Sequence, residues 1–270
     1  DSITVAGKSF KVLSEKEPAK LPWADLNIDV VIESTGRFTD KAGASSHITA
    51  GAKEVVISAP SKGDDPAPTF LMGVNHEQLT GEQVINNASC TTNCIAPTIQ
   101  VLDNAFGVER SLMTTIHAYT ADQNLQDGPH KDLRRARAAA GNIVPTTTGA
   151  AIATADVIPS LKGNFDGVAI RVPVTCGSIS DITAVLKREA TVEEINQAFT
   201  DAAASDRYKG ILQVTTEPLV SSDIVGNPHS AIIDLSLTQV VGNLVKVFAW
   251  YDNEFGYSMR LVEMVGQLAK

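Results

Sequence analysis

The sequence predicts an α/β protein with two units, a parallel doubly wound sheet followed by an α+β unit whose sheet is mixed or antiparallel. Three short apolar runs, at 29–33, 54–58 and 83–86, end in small polar residues and are separated by helix-compatible segments. Apolar strands that alternate with helices indicate a parallel sheet. Further along the chain, strand-like runs follow one another with few helices between them, which is typical of a mixed or antiparallel sheet.

Caps and turns predict the other elements in order along the chain. Residues 40–52 are polar and helix-compatible, and they lie between the first two strands. Thr191 and Glu194 have the spacing of a capping box, which opens a helix with an apolar stripe. The Gly-Asn pair at 242–243 predicts a hairpin, and residues 255–270 predict an amphipathic helix. The strand-like runs of the second unit are 168–174, 179–186, 211–214, 231–240 and 244–250.

The composition disfavours several classes of partner. The chain has 270 residues, of which 43% are apolar and 20% charged, as in a folded globular protein. A formal net charge of -9 disfavours binding to nucleic acid or to an anionic membrane. We find no apolar run near the roughly 20 residues of a membrane span, and no secretory signal pattern in the first ten residues. Three cysteines are too few for a disulfide framework and indicate a reducing cytoplasm.

Cys90 is the candidate nucleophile. It lies in the segment ASCTTNC at 88–94, which follows the third predicted strand and precedes an apolar helical stripe. We therefore expect Cys90 at a helix start, where partial positive charge and free N–H groups favour a thiolate. The neighbouring hydroxyl and amide side chains argue against the other interpretation, a buried structural cysteine. Pro97 lies inside the predicted helix and predicts a kink or a later start.

His117 is the candidate base. It closes an apolar, strand-like stretch, and a base beside a thiol is the usual pattern of activation. A hydrogen-bonded core histidine remains the alternative for this residue. Cys90, Cys94 and His117 could also be metal ligands, but a structural zinc site needs a fourth ligand, and no second close pair stands near His117. We therefore predict no metal site.

Three features are candidates for binding an anion. Arg171 lies within the apolar run 168–174, and a buried arginine needs either an ion pair or an anionic ligand. The TTTG segment at 146–149 precedes a helix-compatible stretch, where hydroxyls and glycine suit phosphate but also form an ordinary cap. The basic stretch at 131–137 is either a solvated or interface surface, or it contributes one arginine to a phosphate site.

Six segments, in their order and spacing, resemble phosphorylating glyceraldehyde-3-phosphate dehydrogenase, and the resemblance covers the whole chain. They are ASCTTNC at 88–94, TIHAYT at 115–120, DLRRAR at 132–137, PTTTGA at 145–150, RVPV at 171–174 and WYDNE at 250–254. The resemblance implies a truncated Rossmann-like NAD-binding domain at 1–89 and an α+β catalytic domain at 90–253. It also implies that a C-terminal helix at 254–270 packs back on the first domain.

The resemblance implies a reaction, the NAD-dependent oxidative phosphorylation of glyceraldehyde 3-phosphate to 1,3-bisphosphoglycerate in glycolysis. Cys90 adds to the aldehyde to give a hemithioacetal, oxidation leaves a thioester, and inorganic phosphate releases the acyl phosphate. By position, His117 activates the thiol and acts as its acid–base partner. The family is tetrameric, and residues 119–141 resemble the loop that packs across subunits, which implies a homotetramer.

The resemblance also assigns binding residues by their positions. Thr120 and Arg171 match the site for the phosphate of the substrate, and Arg135 matches a basic residue near the phosphate sites. The residues that match the site of the attacking phosphate are Ser89, Thr91, Thr148 and Gly149. The residues that match the cofactor site are Thr35 and Gly36 in a turn, Ser58 in the pocket lining and Asn253 at the nicotinamide carboxamide.

Two departures from the family bear on the cofactor and on a helix surface. The family opens with a strand, a glycine-rich phosphate turn and an acidic residue, and this chain begins after them. We therefore expect either a fragment or a product that binds its cofactor poorly. Ile152 replaces an expected lysine or other polar residue and should affect only a helix surface. A proline at 129, as in NAD-using members, favours NAD over NADP.

Two alternatives to this function stay open. A related aldehyde-phosphate dehydrogenase, such as an erythrose-4-phosphate enzyme, would share the fold and the pair of Cys90 and His117. A non-catalytic truncated subunit would share the fold alone.

Overall fold

The computed structural model describes residues 1–269, and the predicted α/β fold class is confirmed. Within these residues the chain forms a two-stranded hairpin, a three-stranded parallel sheet and an eight-stranded mixed sheet. The strands are β1 (Ser2–Val5), β2 (Lys8–Lys11), β3 (Val30–Glu33), β4 (Glu54–Ile57), β5 (Val84–Asn86), β6 (Val108–Ala118), β7 (Val144–Thr147), β8 (Phe165–Val172), β9 (Ser178–Leu186), β10 (Leu212–Thr215), β11 (Ala231–Asp234), β12 (Gln239–Val241) and β13 (Leu244–Tyr251). The helices are α1 (Lys41–Ala44), α2 (Ser46–Thr49), α3 (Cys90–Phe106), α4 (Ala150–Val157), α5 (Val192–Ala204) and α6 (Phe255–Leu268).

The parallel sheet has the strand order β3-β4-β5. Apolar residues of β4 and β5 are buried on both faces of this sheet. On one face, the C-terminal helix α6 packs Leu261, Met264 and Leu268 against a cluster that contains Val56 of β4 and Ile85 of β5. Because the three strands are parallel, their carboxyl ends lie at the same edge of the sheet. Ligands bind at this edge in sheets of this type.

The mixed sheet has the order β10-β11-β13-β9-β6-β8-β7, with β12 paired to β13. The long strand β6 runs parallel to β8 and antiparallel to β9. Alternate residues of β9 are buried, and its Ile182 belongs to the same core as Ile95, Ile99 and Leu102 of α3. Helix α3 therefore fixes the mixed sheet to the end of the parallel sheet.

Several local predictions are confirmed. Thr191 and Glu194 form both bonds of the capping box at the start of α5. The predicted hairpin joins β12 to β13, with Val241 opposite Leu244. The amphipathic C-terminal helix extends over Phe255–Leu268, and Lys270 lies outside the described residues.

Two elements that the sequence predicts as continuous are interrupted in the structure. Residues 40–52 form two short helices, because the Ser45 hydroxyl donates to the carbonyl of Lys41 at 2.7 Å and competes with the helical backbone. The predicted strand at 231–240 is interrupted by a 3-10 turn at Leu235–Leu237. There, the carboxylate of Asp234 accepts bonds from the backbone and the hydroxyl of Ser236 and bends the chain.

Helix α3 begins at Cys90, so the predicted late start at Pro97 is wrong. The hydroxyl of Ser89 accepts a bond from the N–H of Thr92 at 3.1 Å, which caps the helix ahead of the proline. This cap places Cys90 in the first turn, as the sequence predicts.

Candidate active site

Cys90 lies where the parallel sheet meets the mixed sheet. Strand β5 ends at Asn86, and a tight link through Ala88, whose φ is 51°, leads into α3. The amide of Asn93 donates to the carbonyls of Asn87 at 2.9 Å and Ser89 at 3.0 Å, which holds this link against the helix. The first turn of α3 therefore carries Cys90 to the carboxyl edge of the parallel sheet.

His117 comes to the same place from the mixed sheet. It lies near the end of β6, opposite Arg171 of β8. Its Nε2 is 3.4 Å from the Sγ of Cys90, within hydrogen-bonding distance for sulfur. The structure thus brings together the predicted nucleophile, the predicted base and the predicted anion-binding arginine.

The Nδ1 atom of His117 lies between a donor and an acceptor. It is 2.7 Å from the carbonyl oxygen of Ala118 and 2.5 Å from Nη1 of Arg171. The same Nη1 also donates to the Ala118 carbonyl at 3.1 Å. A neutral imidazole nitrogen either donates or accepts, so Nδ1 serves only one of these partners at a time. The tautomer of His117 therefore depends on the position of Arg171.

Arg171 has no carboxylate partner among the described residues, and its buried Nε has no hydrogen-bond partner there. Burial lowers the pKa of Arg171, because the charged form is poorly solvated. A partly buried guanidinium without an ion pair has unused donors in a planar fork, which suits a phosphate or carboxylate. This geometry supports an anion site beside His117.

Burial also sets the charge of the catalytic pair. Burial and the nearby Arg171 lower the pKa of His117 to about 3, against the opposing effect of the bond to Ala118. Burial raises the pKa of the Cys90 thiol, although the charge of Arg171 lowers it. Both shifts favour the uncharged forms of the pair. Burial therefore opposes the thiolate that the helix start and Arg171 favour.

Tyr251 is a neighbour of the site that the sequence analysis missed. Its buried hydroxyl lies 2.9 Å from Oγ1 of Thr91 and 2.8 Å from Oγ1 of Thr115. Its ring packs edge-on against His117, with centroids 5.9 Å apart. The alternation of buried and half-buried residues along β13 is the signal that could have placed Tyr251 inside.

The same contact involves one of the predicted phosphate residues. The side chain of Thr91 is buried and bonded to Tyr251, and Thr91 is outside the lining of the cavity beside Cys90. Its hydroxyl could bind phosphate only by exchanging this partner.

A cavity of about 460 Å³ opens at Cys90. Its lining includes His117, Thr120 and Asn253, together with Thr175 and other residues of the neighbouring loops. The Oδ1 atom of Asn253 accepts bonds from Gly177 N at 3.0 Å and Ser178 Oγ at 2.9 Å. This fixes the amide group, and its nitrogen remains without a bond in the described part of the chain.

The other predicted phosphate residues lie around this cavity rather than in its lining. Thr148 accepts a bond from the N–H of Ala150 at 3.2 Å, and Gly149 is the N-cap residue of α4. Arg135 is occupied, because it contacts Asp122 and Asp132 and donates to Thr146 at 2.8 Å. Ser89 is engaged in capping α3. These residues could bind phosphate only if the phosphate replaced their present hydrogen-bond partners.

The predicted cofactor residues Thr35, Gly36 and Ser58 lie at the carboxyl ends of β3 and β4. The N–H of Ser58 donates to the carbonyl of Glu33 at 3.0 Å, which joins the two strand ends. Strand β5, which leads to Cys90, is two strand positions away from β3, or about 10 Å. An elongated ligand across this edge would therefore extend from Thr35 toward Cys90.

The remaining cysteines have other environments. Cys94 is fully buried, and its sulfur contacts the carbonyl of Ala249 at 3.8 Å. The thiol of Cys176 donates to Asp252 at 3.2 Å, and burial raises its pKa to about 11. Among residues 1–269, no group of three histidine, cysteine or acidic side chains is arranged to hold a metal ion. No helix in that part is long and apolar enough to cross a membrane.

A cysteine and a histidine in contact at a cavity are the parts of an enzyme that works through a thiol nucleophile. Comparison with known families gives the particular class. A family model described as the C-terminal domain of glyceraldehyde 3-phosphate dehydrogenase matches residues 89–253. A second, described as the NAD binding domain of that enzyme, matches residues 1–41. The chain belongs to the glyceraldehyde-3-phosphate dehydrogenase family.

Curated relatives agree with this family. A glyceraldehyde-3-phosphate dehydrogenase of Mycobacterium avium is 59% identical over 272 residues, which cover 100% of this chain and 79% of the relative. One of Streptomyces coelicolor is 58% identical over 267 residues, covering 98% of this chain and 79% of the relative. The predicted family, the predicted class of enzyme and the prediction of NAD as cofactor are confirmed.

Proposed function

We propose that this chain catalyses the NAD-dependent oxidative phosphorylation of glyceraldehyde 3-phosphate to 1,3-bisphosphoglycerate, in glycolysis and in the cytoplasm. One observation carries the proposal. A cysteine at a helix start contacts a histidine whose other ring nitrogen meets an arginine without an ion pair. These are the groups needed to attack an aldehyde that carries a phosphate, and the names of the relatives supply the substrate.

Cys90 is the nucleophile in this proposal. Its sulfur bonds to the aldehyde carbon, and the carbonyl oxygen takes a proton to give a hemithioacetal. Oxidation of that carbon leaves a thioester on Cys90. Attack by inorganic phosphate then breaks the C–S bond, so that the acyl phosphate leaves and the sulfur departs as a thiolate, which regains its proton.

His117 transfers the protons. When the substrate phosphate engages Arg171, Nδ1 can donate to the Ala118 carbonyl, and Nε2 then offers a lone pair to the Cys90 thiol. Nε2 takes the thiol proton during attack and returns it to the oxygen of the hemithioacetal. It accepts the proton again as that oxygen becomes a carbonyl.

Two anion sites are proposed beside the pair. Arg171 and Thr120 bind the phosphate of the substrate, with Arg135 nearby. This is supported by the lack of an ion pair at Arg171 and by the position of Thr120 in the cavity lining. The proposed site for the attacking phosphate is formed by Ser89, the backbone of Thr91, Thr148 and Gly149.

The residues at the sheet edge fit the nicotinamide cofactor. The bonds to Oδ1 of Asn253 leave its amide nitrogen to donate to a carboxamide oxygen beside Cys90. Thr35, Gly36 and Ser58 would contact the cofactor along the same edge. When bound, NAD supplies the hydride acceptor for the oxidation. In this proposal residues 1–89, with a C-terminal helix at 254–270, form the NAD-binding domain, and residues 90–253 form the catalytic domain.

A homotetramer is also proposed. This is supported by the exposure of Leu112 and Val168 on the mixed sheet, at 66% and 50%, and of Ile152 on α4, at 66%. Exposed apolar side chains that lie close together are typical of surfaces that contact another protein. Analytical ultracentrifugation of the protein should give a mass four times that of one chain.

The proposed reaction is tested by following NADH formation with glyceraldehyde 3-phosphate, with and without inorganic phosphate. Sustained turnover should require phosphate, while a single turnover should occur without it. Erythrose 4-phosphate serves as the competing substrate in the same assay. A higher kcat/KM for erythrose 4-phosphate would assign the chain to the related enzyme. The absence of turnover with either aldehyde in the full-length protein would make it a non-catalytic subunit.

A further inference from the structure

Glu33 ends β3 as a buried carboxylate with a complete set of partners. Its Oε2 is 2.9 Å from Nε2 of His47, and Nδ1 of that histidine is 3.0 Å from the indole nitrogen of Trp23. Its Oε1 is 2.8 Å from the N–H of Thr35 and 2.5 Å from the hydroxyl of Thr35. Both Glu33 and His47 are buried. Glu33 therefore joins the interior to the turn that follows β3.

The direction of every proton in this chain of contacts is fixed. An indole N–H only donates, so Nδ1 of His47 must accept. The proton of the neutral imidazole is then on Nε2, from which it donates to Glu33. The N–H and O–H of Thr35 donate to the other oxygen of the same carboxylate. Glu33 thus accepts hydrogen bonds at both of its oxygens.

The hydrogen bonds between Glu33 and Thr35 hold the turn that follows β3. The Thr35 oxygen that donates to Glu33 also accepts the N–H of Arg37 at 3.2 Å. Gly36 lies between these residues with a φ of 72°, a conformation that favours glycine. With its hydroxyl and its N–H both engaged, Thr35 can meet a cofactor through its carbonyl, and the exposed backbone of Gly36 follows directly.

We propose that Glu33, held by His47 and Trp23, is a positioning residue for the cofactor turn at Thr35 and Gly36. The inference rests on the proposed function, because it requires NAD to lie along this sheet edge. It goes beyond it by assigning a role to Glu33, a residue that does not touch substrate. Loss of the Glu33 charge should weaken NAD binding while the reaction at Cys90 stays intact.

The test is the variant Glu33→Gln in the full-length protein, with NAD affinity measured by calorimetric titration. Glutamine places an NH2 group against donors on one side or the other, so His47 or Thr35 must lose its bond. We expect NAD to bind about tenfold more weakly and KM for NAD to rise similarly, from the loss of a hydrogen bond to a charged group. At saturating NAD, kcat and the rate of Cys90 alkylation should stay within about twofold.

Trp23→Phe is the matched control, because it disturbs the same network without touching the bonds of Thr35. It should bind NAD within about twofold of the wild type, even if it unfolds at a lower temperature. The double variant of Glu33→Gln with Trp23→Phe should recover NAD affinity relative to Glu33→Gln alone. Without the indole N–H, His47 can place its proton on Nδ1 and accept from the glutamine through Nε2.

Circular dichroism confirms that each variant is folded. Should Glu33→Gln and Thr35→Val both bind NAD like the wild type, or should Trp23→Phe weaken it as much as they do, the positioning role is wrong although the proposed function stands. If Glu33→Gln does not fold, the double variant and Thr35→Val decide, since Thr35→Val removes one bond to Glu33 and should also weaken NAD. Wild-type protein that is active without binding NAD would overturn both the positioning role and the proposed cofactor site.

Discussion

Two histidines of this molecule, His47 and His117, are buried beside a group that can carry negative charge, and their hydrogen-bond partners differ. His47 is enclosed, because each of its ring nitrogens has one partner of the correct kind, the indole of Trp23 and the carboxylate of Glu33. His117 is not, because its Nδ1 meets both a donor and an acceptor while its Nε2 meets the thiol of Cys90. A histidine whose two ring nitrogens each have one suitable hydrogen-bond partner stabilises the fold. A histidine with competing partners can change its tautomer.

The surrounding charges extend this contrast. Both partners of His47 are neutral or complementary to it, whereas Arg171 beside His117 lacks an ion pair among residues 1–269, and His117 itself lines a cavity. Complete hydrogen bonding therefore indicates a structural role for His47, and the unused donors of Arg171 indicate a chemical role for the site around His117. Each of the following experiments acts on one side of this comparison.

The largest effect should come from the nucleophile. Cys90→Ser should lower kcat by on the order of 10⁴-fold or more, because a serine hydroxyl in this buried site is a far weaker nucleophile than the cysteine sulfur. Cys94→Ser is the control, since Cys94 lies in the core four residues further along α3, where its sulfur contacts the carbonyl of Ala249. Steady-state kinetics measures both. Retention of normal turnover by Cys90→Ser would contradict the account.

The two histidines should separate next. His117→Asn should lower kcat by about 10²–10⁴-fold, since general acid–base help is worth that much. His47→Asn should instead lower the free energy of unfolding by about 1–3 kcal/mol, because it leaves buried partners unpaired. Its kcat at saturating NAD should not change. Kinetics and thermal unfolding of both variants test the contrast, which disappears if the two substitutions have the same profile.

Arg171→Leu should discriminate between substrates. We expect kcat/KM for glyceraldehyde 3-phosphate to fall by about 10–100-fold, the loss expected for a hydrogen bond to a charged group. For unphosphorylated glyceraldehyde the loss should be much smaller. Arg135→Leu is a useful comparison, because Arg135 already has carboxylate partners. Equal losses for both aldehydes would make Arg171 a structural residue.

The smallest effect concerns pH. Because burial raises the pKa of Cys90 above that of an ordinary thiol, the thiolate should be scarce at neutral pH and increase as the pH rises. Alkylation of Cys90 in the free protein should therefore accelerate by about tenfold per pH unit into the alkaline range. Arg171 lowers this pKa, so Arg171→Leu should move the profile to higher pH. A plateau reached near pH 6 would show a resting thiolate instead.

Much of the fold could be predicted from the sequence, because the signals are local. Apolar runs gave the three parallel strands, and the spacing of Thr191 and Glu194 gave a helix start. The breaks at Ser45 and Asp234 were missed, because each depends on a side chain bonding to its own backbone. Such competition is not visible in hydrophobic periodicity.

The site was only partly predictable for a similar reason. The identities of Cys90 and His117 were readable, but their charge states depend on burial, which the tertiary fold sets. The inward hydroxyl of Thr91 depends on Tyr251, which lies far away in the chain. The network of Trp23, His47 and Glu33 likewise joins separate segments of the chain, so no single sequence motif predicts it.

The most direct test of the central claim is to trap the covalent intermediate. The full-length protein is mixed with glyceraldehyde 3-phosphate and NAD without inorganic phosphate, quenched in acid, digested and examined by mass spectrometry. The account predicts an acyl group of the substrate on the peptide that contains Cys90, and its loss when phosphate is added before quenching. An acyl group on Cys176, or NADH formation without any acylated cysteine, would contradict it.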